Sequence, residues 1–459
     1  MPHQGPIDSF SRFSEKDYGD YEFIVSEIQR LNALPPAEML KELAADPWIV
    51  PTFLKGANGH DLPLSAAART RFIQIAERGL KGLGPGARIH RLGEVFKMLK
   101  AEFSSHILGG FEMTTENAHQ IFQAVVKKLE GGYSELTHYV PCSVVAERSY
   151  ETFAIGPVTF VLRDLFFKQN EAAIRQELDR FGDGSIGESL LAQTRVFYSD
   201  FQWIASITVP PCDREISARR ARAGIQKALD VFKLIVGSER AGHVKQGHDV
   251  RVASRHVELV SSRTEAFSLR FGTTGQDAIT NKEWFAQVTG GPAWRFLEAV
   301  LWNYWKSWGI VDEIQLRFLD ALSWHSDAIS ETDLGSRIIK FWVAIERLLS
   351  ASPGDKITTR AAVLTTDETE DFLRHSKELE KLYQKRSAIV HGSANRANES
   401  WYQQAAKASE AASQTALYQY LYAIPRVHAS RGLTPREKLT GFLRWLDAIA
   451  KQHRKQHRE

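Results

Sequence analysis

The segment Leu334–Leu349, LGSRIIKFWVAIERLL, carries apolar residues at Leu334, Ile338, Trp342, Ile345 and Leu349. These positions return to one face of a 3.6-residue period, so the segment reads as an amphipathic helix. The same period continues on both sides. Val311, Ile314, Phe318, Leu322 and His325 form a stripe before it. Leu379, Leu382, Tyr383, Ile389 and Val390 form one after it, and Trp401, Ala405, Ala408, Ala412 and Ala416 begin another. The last helix opens at Thr434-Pro435-Arg436-Glu437. Thr at the cap, Pro at the first helical position and Glu three residues past the cap make a capping box. Leu439, Phe442, Leu443, Leu446 and Ile449 supply its apolar face. Residues 310–459 are therefore expected to form an all-α bundle.

Upstream, residues 286–309 read as a connecting helix with Trp294, Trp302, Trp305 and Trp308 at helical spacing. Such tryptophans are expected to pack in a core or interface. Before it the period changes. Phe153, Ile155, Val158, Phe160 and Leu162 alternate around Gly156-Pro157. Trp203, Ala205, Ile207 and Val209 alternate too, as do Phe267, Leu269 and Phe271. Alternation marks half-buried strands. Between them a helix is expected from Asp213, its cap, to Val236, with Ile225, Leu229 and Phe232 on its apolar face. Residues 141–285 thus read as an α+β domain ending in a linker at 271–284.

Residues 1–140 are expected to be mostly helical, with short helices and loops up to about residue 60. Helical faces follow at Ala66, Arg69, Ile73, Ala76 and Leu80, at Leu92, Val95, Phe96 and Leu99, and at Ile121, Phe122, Val125, Val126 and Leu129. The fold class is α+β, mostly α: an N-terminal helical and mixed α+β region, then the C-terminal bundle.

Composition narrows the function classes. At 43% hydrophobic and 25% charged, the chain of 459 residues is an ordinary globular one with more than one domain. The net charge of +3 resides in the last nine residues, KQHRKQHRE. The rest is balanced, which excludes a polybasic nucleic-acid binder. Arg214, Arg219, Arg220 and Arg222 cluster on one helix, but Asp213 and Glu215 neighbour them. Two cysteines, Cys142 and Cys212, make neither a disulfide framework nor a cysteine-rich zinc site. His453 and His457 share a helical face without a third ligand, so they read as a solvated tail. No metal and no cofactor are expected. The sequence shows no signal peptide and no membrane span, so a cytoplasmic protein without a membrane partner is expected.

One segment stands apart: LYQKRSAIVHG, Leu382–Gly392. Arg386 falls on the apolar stripe of Leu379 and Tyr383. A guanidinium there must be paired or must face a functional cleft. His391 follows five residues later, just before Gly392, a residue suited to end a helix. On a straight helix the two side chains are separated by about 140° and about 7.5 Å of rise. They converge only if the helix loosens or a second subunit supplies the partner group. Arg251 and His256 repeat the spacing in strand-like sequence, without such flanking helices.

The Arg-x4-His segment, preceded by FWVAIERLLS (Phe341–Ser350) and GDKITTRAAVL (Gly354–Leu364), resembles the ApeA-like HEPN family of bacterial defence proteins. The resemblance covers roughly residues 312–427. It implies a metal-independent endoribonuclease acting as a homodimer in anti-phage defence by abortive infection. RNA, tRNA among its forms, would be cut by attack of its own 2′-hydroxyl, leaving a cyclic phosphate. The N-terminal region would sense a phage-derived trigger or restrain the nuclease. His391 would move the proton and Arg386 would stabilise phosphorane charge. Glu346 matches the acidic position of the preceding helix, to orient Arg386 or serve the site or, equally, to form a buried Glu–Arg pair. Arg360 matches the Lys-Ile-Thr-x-Arg turn, as a structural residue or a phosphate contact. Ser387 stands where many catalytic members carry Asn, Asp or His; it can hydrogen-bond a phosphate but accepts a proton poorly. The alternative is a non-catalytic HEPN module that dimerises or binds RNA or a nucleotide.

Overall fold

The computed structural model describes residues 15–43, 52–55, 61–108, 113–130, 133–178, 188–189, 192, 195–196, 198–247, 256–260, 268–272, 282–308, 311–350, 356–366, 368–393, 399–428 and 434–457. The fold is α+β and mostly α, with a five-stranded antiparallel sheet in the N-terminal half and an all-helical C-terminal region. The chain divides into two compact units, Met1–Thr137 with Thr208–Arg220, and His138–Ile207 with Ala221–Glu459.

The first unit contains α1 (Glu15–Asn32), α2 (Pro36–Leu43), the hairpin β1 (Thr52–Lys55) and β2 (Asp61–Leu64), then α3 (Ala66–Gly82), α4 (Leu92–Leu108) and α5 (Thr115–Glu130). The stretch expected as short helices and loops holds the 18-residue α1. Its Tyr21, Ile24 and Ile28 join Phe72, Ile75, Leu99, Phe103 and Ile121 in one core. The helix was hidden because acidic residues also point inward. Arg78 pairs with Asp17 and Asp20 at 2.6 Å each, and Arg71 holds Asp20 at 3.0 Å. On α3 the buried residues are Ala68, Phe72, Ile75, Ala76 and Gly79. The packed face is turned from the expected one: Ala66 is exposed and Ile73 half-buried.

In the remaining α+β portion, β3 (Leu136–Ser143), β4 (Thr152–Ile155), β5 (Val158–Leu162), β6 (Trp203–Val209) and β7 (Lys245–Gln246) order as β4-β5-β6-β3-β7. Ile155 pairs with Val158 across a turn in which Gly156 has φ +56°, a conformation open to glycine. Phe153 and Phe160 stack at 4.7 Å on the buried face, with Trp203 edge-on. Helix α6 (Arg163–Leu178) follows β5; α7 (Arg214–Val236) and the short α8 (Ser238–Ala241) follow β6. Asp213 caps α7, accepting from the Glu215 and Ile216 amides. The strands β8 (His256–Val260) and β9 (Ser268–Gly272) pair as a hairpin. Arg251, Phe267 and residues 273–281 of the expected linker lie outside the described residues. The ends of that linker are structured, residues 271–272 closing β9 and Trp284 opening the next helix.

Helices α9 (Trp284–Thr289) and α10 (Trp294–Lys306) follow. Of the tryptophans expected to pack in a core or interface, those of α10 sit at the edge of the core. Leu297, Val300 and Leu301 are the buried residues of α10, while Trp302 is 39% exposed beneath Lys306. Trp305 is half-buried over Gly224 of α7, where a Cβ would lie 2.9 Å from the ring. The deeply buried indole is that of Trp284.

The bundle comprises α11 (Glu313–Ile329), α12 (Leu334–Leu349), α13 (Ile357–Thr365), α14 (Thr369–Val390), α15 (Glu399–His428) and α16 (Pro435–Gln456). Helix α12 is central and touches α11, α13, α14 and α15. Its Ile338, Phe341, Trp342, Ile345, Leu348 and Leu349 are fully buried. The capping box at Thr434 and Glu437 is formed. Two stripes depart from expectation. On α14, Phe372 and Leu379 are buried, but Leu382, Tyr383 and Ile389 are half-buried and Val390 is 48% exposed. On α15 the deepest positions include Ser409 and Ser413 rather than Ala408 and Ala412. The Ser413 hydroxyl lies 3.0 Å from His325 Nδ1, so small polar residues fill the close α11–α15 contact. The basic tail is helical to Gln456, and His453 is buried, stacked on Phe372 at 4.9 Å. Among the described residues no helix is long and apolar enough to cross a membrane.

Candidate functional site

Facing helices α12 and α14 build the site around Arg386. Trp342 and Glu346 lie four residues apart on one face of α12; Tyr383 and Arg386 lie three apart on one face of α14. The ladders meet rung by rung. Trp342 packs edge-on against Tyr383 with ring centroids 5.3 Å apart. Arg386 Nη2 lies 3.1 Å from Glu346 Oε1, and its guanidinium carbon sits 5.5 Å from the Tyr383 ring centre. Arg386 and Glu346 are both partly open to solvent. Arg386 Nε is buried, with no hydrogen-bond acceptor among the described residues.

His391 and Ser387 occupy the end of α14. The backbone closes in a Schellman arrangement: Ser393 N–H donates to Ala388 O at 2.9 Å and Gly392 N–H to Ile389 O at 3.2 Å. Gly392 adopts φ +71°. His391 is the last cap residue, its amide donating to the Ser387 carbonyl at 2.9 Å. Its side chain is exposed, and no hydrogen bond or ion pair joins it to Arg386 among the described residues. Ser387 is half-buried. Glu346 and Arg386 are thus brought together, and His391 stands apart from them within one chain.

Arg360 belongs to a different cluster. Its Nε and Nη2 donate to Asp447 Oδ1 and Oδ2 at 2.9 and 2.8 Å, and Nη1 donates to the Leu349 carbonyl at 2.5 Å. It is buried between α12, α13 and α16. Its neighbours act alike. Thr358 donates to Glu380 of α14 at 3.0 Å, and Thr359 accepts from Arg454 of α16 at 3.0 Å. The Lys-Ile-Thr-Thr-Arg segment is therefore a keystone for three helices. Asp447 and Tyr383 are the partners that sequence reasoning missed. Asp447 lies far along the chain, while Tyr383 could have been found from its i, i+3 spacing to Arg386.

The first unit holds a cleft of about 410 Å³ lined by Arg91, Glu94, Tyr133, Cys212, Asp213 and Glu215, among others. Its charges satisfy one another. Arg91 reaches Asp213 at 2.6 Å, Glu94 at 3.1 Å and also Glu215. Burial pushes the Tyr133 hydroxyl up to about 12 and lowers His90, whose Nδ1 lies 3.2 Å from that hydroxyl. Both cysteines are free and buried. Among the described residues no three His, Cys, Asp or Glu side chains are grouped to hold a metal ion. The Arg386 site differs from that cleft in being under-satisfied: among the described residues it is a half-buried cation with one ion pair, one ring contact and a buried donor without an acceptor. Comparison with family models, with curated proteins and with solved structures finds no match to this chain.

Proposed function

We propose that the protein is an endoribonuclease of the HEPN type, with Arg386 as the phosphate-binding cation and His391 as the proton-transfer group. The observation that carries this reading is the contrast between two arginines of one bundle. Arg360 has donors engaged on three sides, as a structural guanidinium should. Arg386 keeps a buried Nε–H without an acceptor and faces partly to solvent. The part of the guanidinium that is open to solvent can meet a phosphate oxygen through a charge-assisted hydrogen bond, which a fully engaged guanidinium such as that of Arg360 cannot.

In this reading the RNA 2′-oxygen attacks the adjacent phosphorus and the bond to the 5′-oxygen breaks. The 2′-hydroxyl proton leaves to a base and the departing 5′-oxygen takes a proton, with His391 serving one of these transfers. Arg386 offsets the charge gathered on the phosphorane oxygens. Since His391 stands apart from Arg386, a homodimer that sets one chain's His391 beside the other's Arg386 completes the site. The incompletely covered end of α14, with Val390 exposed, supports such pairing. Defence against phage, tRNA among the substrates and a phage-derived trigger follow from the same resemblance.

Incubation of the full chain with single-stranded RNA and its DNA counterpart tests the reading. Expected are RNA cleavage only, cyclic-phosphate ends, and losses of about 100- to 1,000-fold in Arg386→Ala and His391→Ala. Equal cleavage by all three proteins, or none by any, rejects it. The second reading is a non-catalytic module in which Arg386 and Glu346 fasten α12 to α14; Ser387 and the ion pair favour it. It requires Arg386→Ala to lower the melting temperature while leaving RNA intact in every variant.

A further inference from the structure

The head group of Arg386 is steered by few contacts. Among the described residues its Nε–H has no acceptor, so no hydrogen bond from them fixes the rotation of the guanidinium plane. Glu346 holds one end through Nη2 at 3.1 Å. A second contact is the face of Tyr383, 5.5 Å from the guanidinium carbon. That ring is not free to follow the arginine, because Trp342 packs edge-on against it at 5.3 Å and Trp342 is wholly buried in α12. A cation is drawn to the negative face of an aromatic ring, and arginine stacks on it with its planar head.

We propose that Tyr383 is the positioning residue of Arg386: its ring, braced by Trp342, sets the plane in which the guanidinium meets the substrate phosphate. The inference rests on the reading that Arg386 binds phosphate, and it adds a residue to that site. Glu346 fixes where the head group is, and Tyr383 fixes which way it faces. The ring alone performs this task, so the hydroxyl of Tyr383 is dispensable.

The test uses the full chain labelled with [15N]arginine, in which the Nε–H resonance of Arg386 is identified by its loss in Arg386→Lys. In the wild type and in Tyr383→Phe that resonance carries the ring-current shift and exchanges slowly with solvent. In Tyr383→Leu the ring-current shift goes with the ring itself, and the informative change is that the Nε–H exchanges faster with solvent. Cleavage of a single-stranded RNA oligonucleotide falls about 100-fold in kcat for Tyr383→Leu with KM held within about threefold, whereas Tyr383→Phe stays near wild type. If Tyr383→Leu does not fold, pentafluorophenylalanine at position 383 keeps the ring shape and reverses its face charge, with the same losses expected. An unchanged Nε–H exchange rate in the folded Tyr383→Leu or pentafluorophenylalanine variant, or a Tyr383→Phe variant as damaged as Tyr383→Leu, overturns the proposal. If Arg386→Ala leaves RNA cleavage unaltered, the ribonuclease reading falls instead, while the resonance still decides what Tyr383 does.

Discussion

His325 shows how much one buried side chain can set. It is fully buried, bonded through Nδ1 to Ser413 and packed at 5.1 Å from the Phe341 ring. Burial lowers its pKa to about 3, so the imidazole is neutral in the folded chain. A folded value below the unfolded one means that stability is intact above about pH 6.5 and is lost as pH falls towards 3. Between pH 7 and pH 5 the wild type should lose roughly 2 kcal/mol through this residue. Urea titrations of wild type and His325→Gln check it: the variant should lose about that much less over the same range. Near it in sequence, the buried Ser326 hydroxyl has no hydrogen-bond partner among the described residues, and the Ser409 hydroxyl on α15 is likewise without one. Replacing either by alanine removes an unmet polar group and should raise the unfolding free energy measured in urea by about 1 kcal/mol each. Sequence reading placed His325 on an apolar stripe, and it lies there. It could not place Ser409 and Ser413 in the core, because their burial depends on how closely α15 approaches α11.

At the scale of elements, the ends of helices decide the bundle. The last carbonyls of α12 are met by side chains from elsewhere: Arg360 takes Leu349 O, and Arg317 takes Ser350 O. Arg360→Ala breaks its bidentate pair with Asp447 and frees the Leu349 carbonyl at once. The cost should be roughly 2–3 kcal/mol, below that of a fully buried pair because Asp447 is partly exposed. Denaturant unfolding of Arg360→Ala and Asp447→Ala measures it, with the Arg variant the worse. The end of α14 depends on Gly392 at φ +71°, where the space around a Cβ is open. Gly392→Ala should therefore cost about 1 kcal/mol from backbone strain alone and leave the Arg386–Glu346 pair in place. The capping box, the cap of α7 and the end of α14 were all readable beforehand, since each uses residues close in sequence. Helix α1 was not, since Asp17 and Asp20 mimic a solvated face until Arg78 is brought to them.

For the molecule as a whole, the second unit is tied together by buried polar contacts between α7 and α11. Ser323 donates to Asp230 at 3.1 Å, Lys227 to Leu319 O at 2.9 Å and Lys233 to Ser330 at 2.6 Å. The sheet-bearing portion is thus joined to the bundle by specific partners as well as apolar packing. The C-terminal segment also belongs to the bundle. A chain ending at Ala450 loses the His453–Phe372 stack and the bonds from Thr369 to His453 and from Arg454 to Thr359. Thermal and urea unfolding of that truncation should show the bundle weakened by about 2 kcal/mol, whereas a solvated tail would leave it unchanged. By itself the sequence determined the class of fold, the helical C-terminal third, the strand-bearing middle and the caps. Periodicity and capping act over a few residues, and no partner needs to be known. Only tertiary structure decided which arginine is engaged and which is under-satisfied, because a guanidinium's partners come from distant helices. It also separated Arg386 from His391 within one chain, where a regular helix end leaves one on the α12 side and the other in solvent.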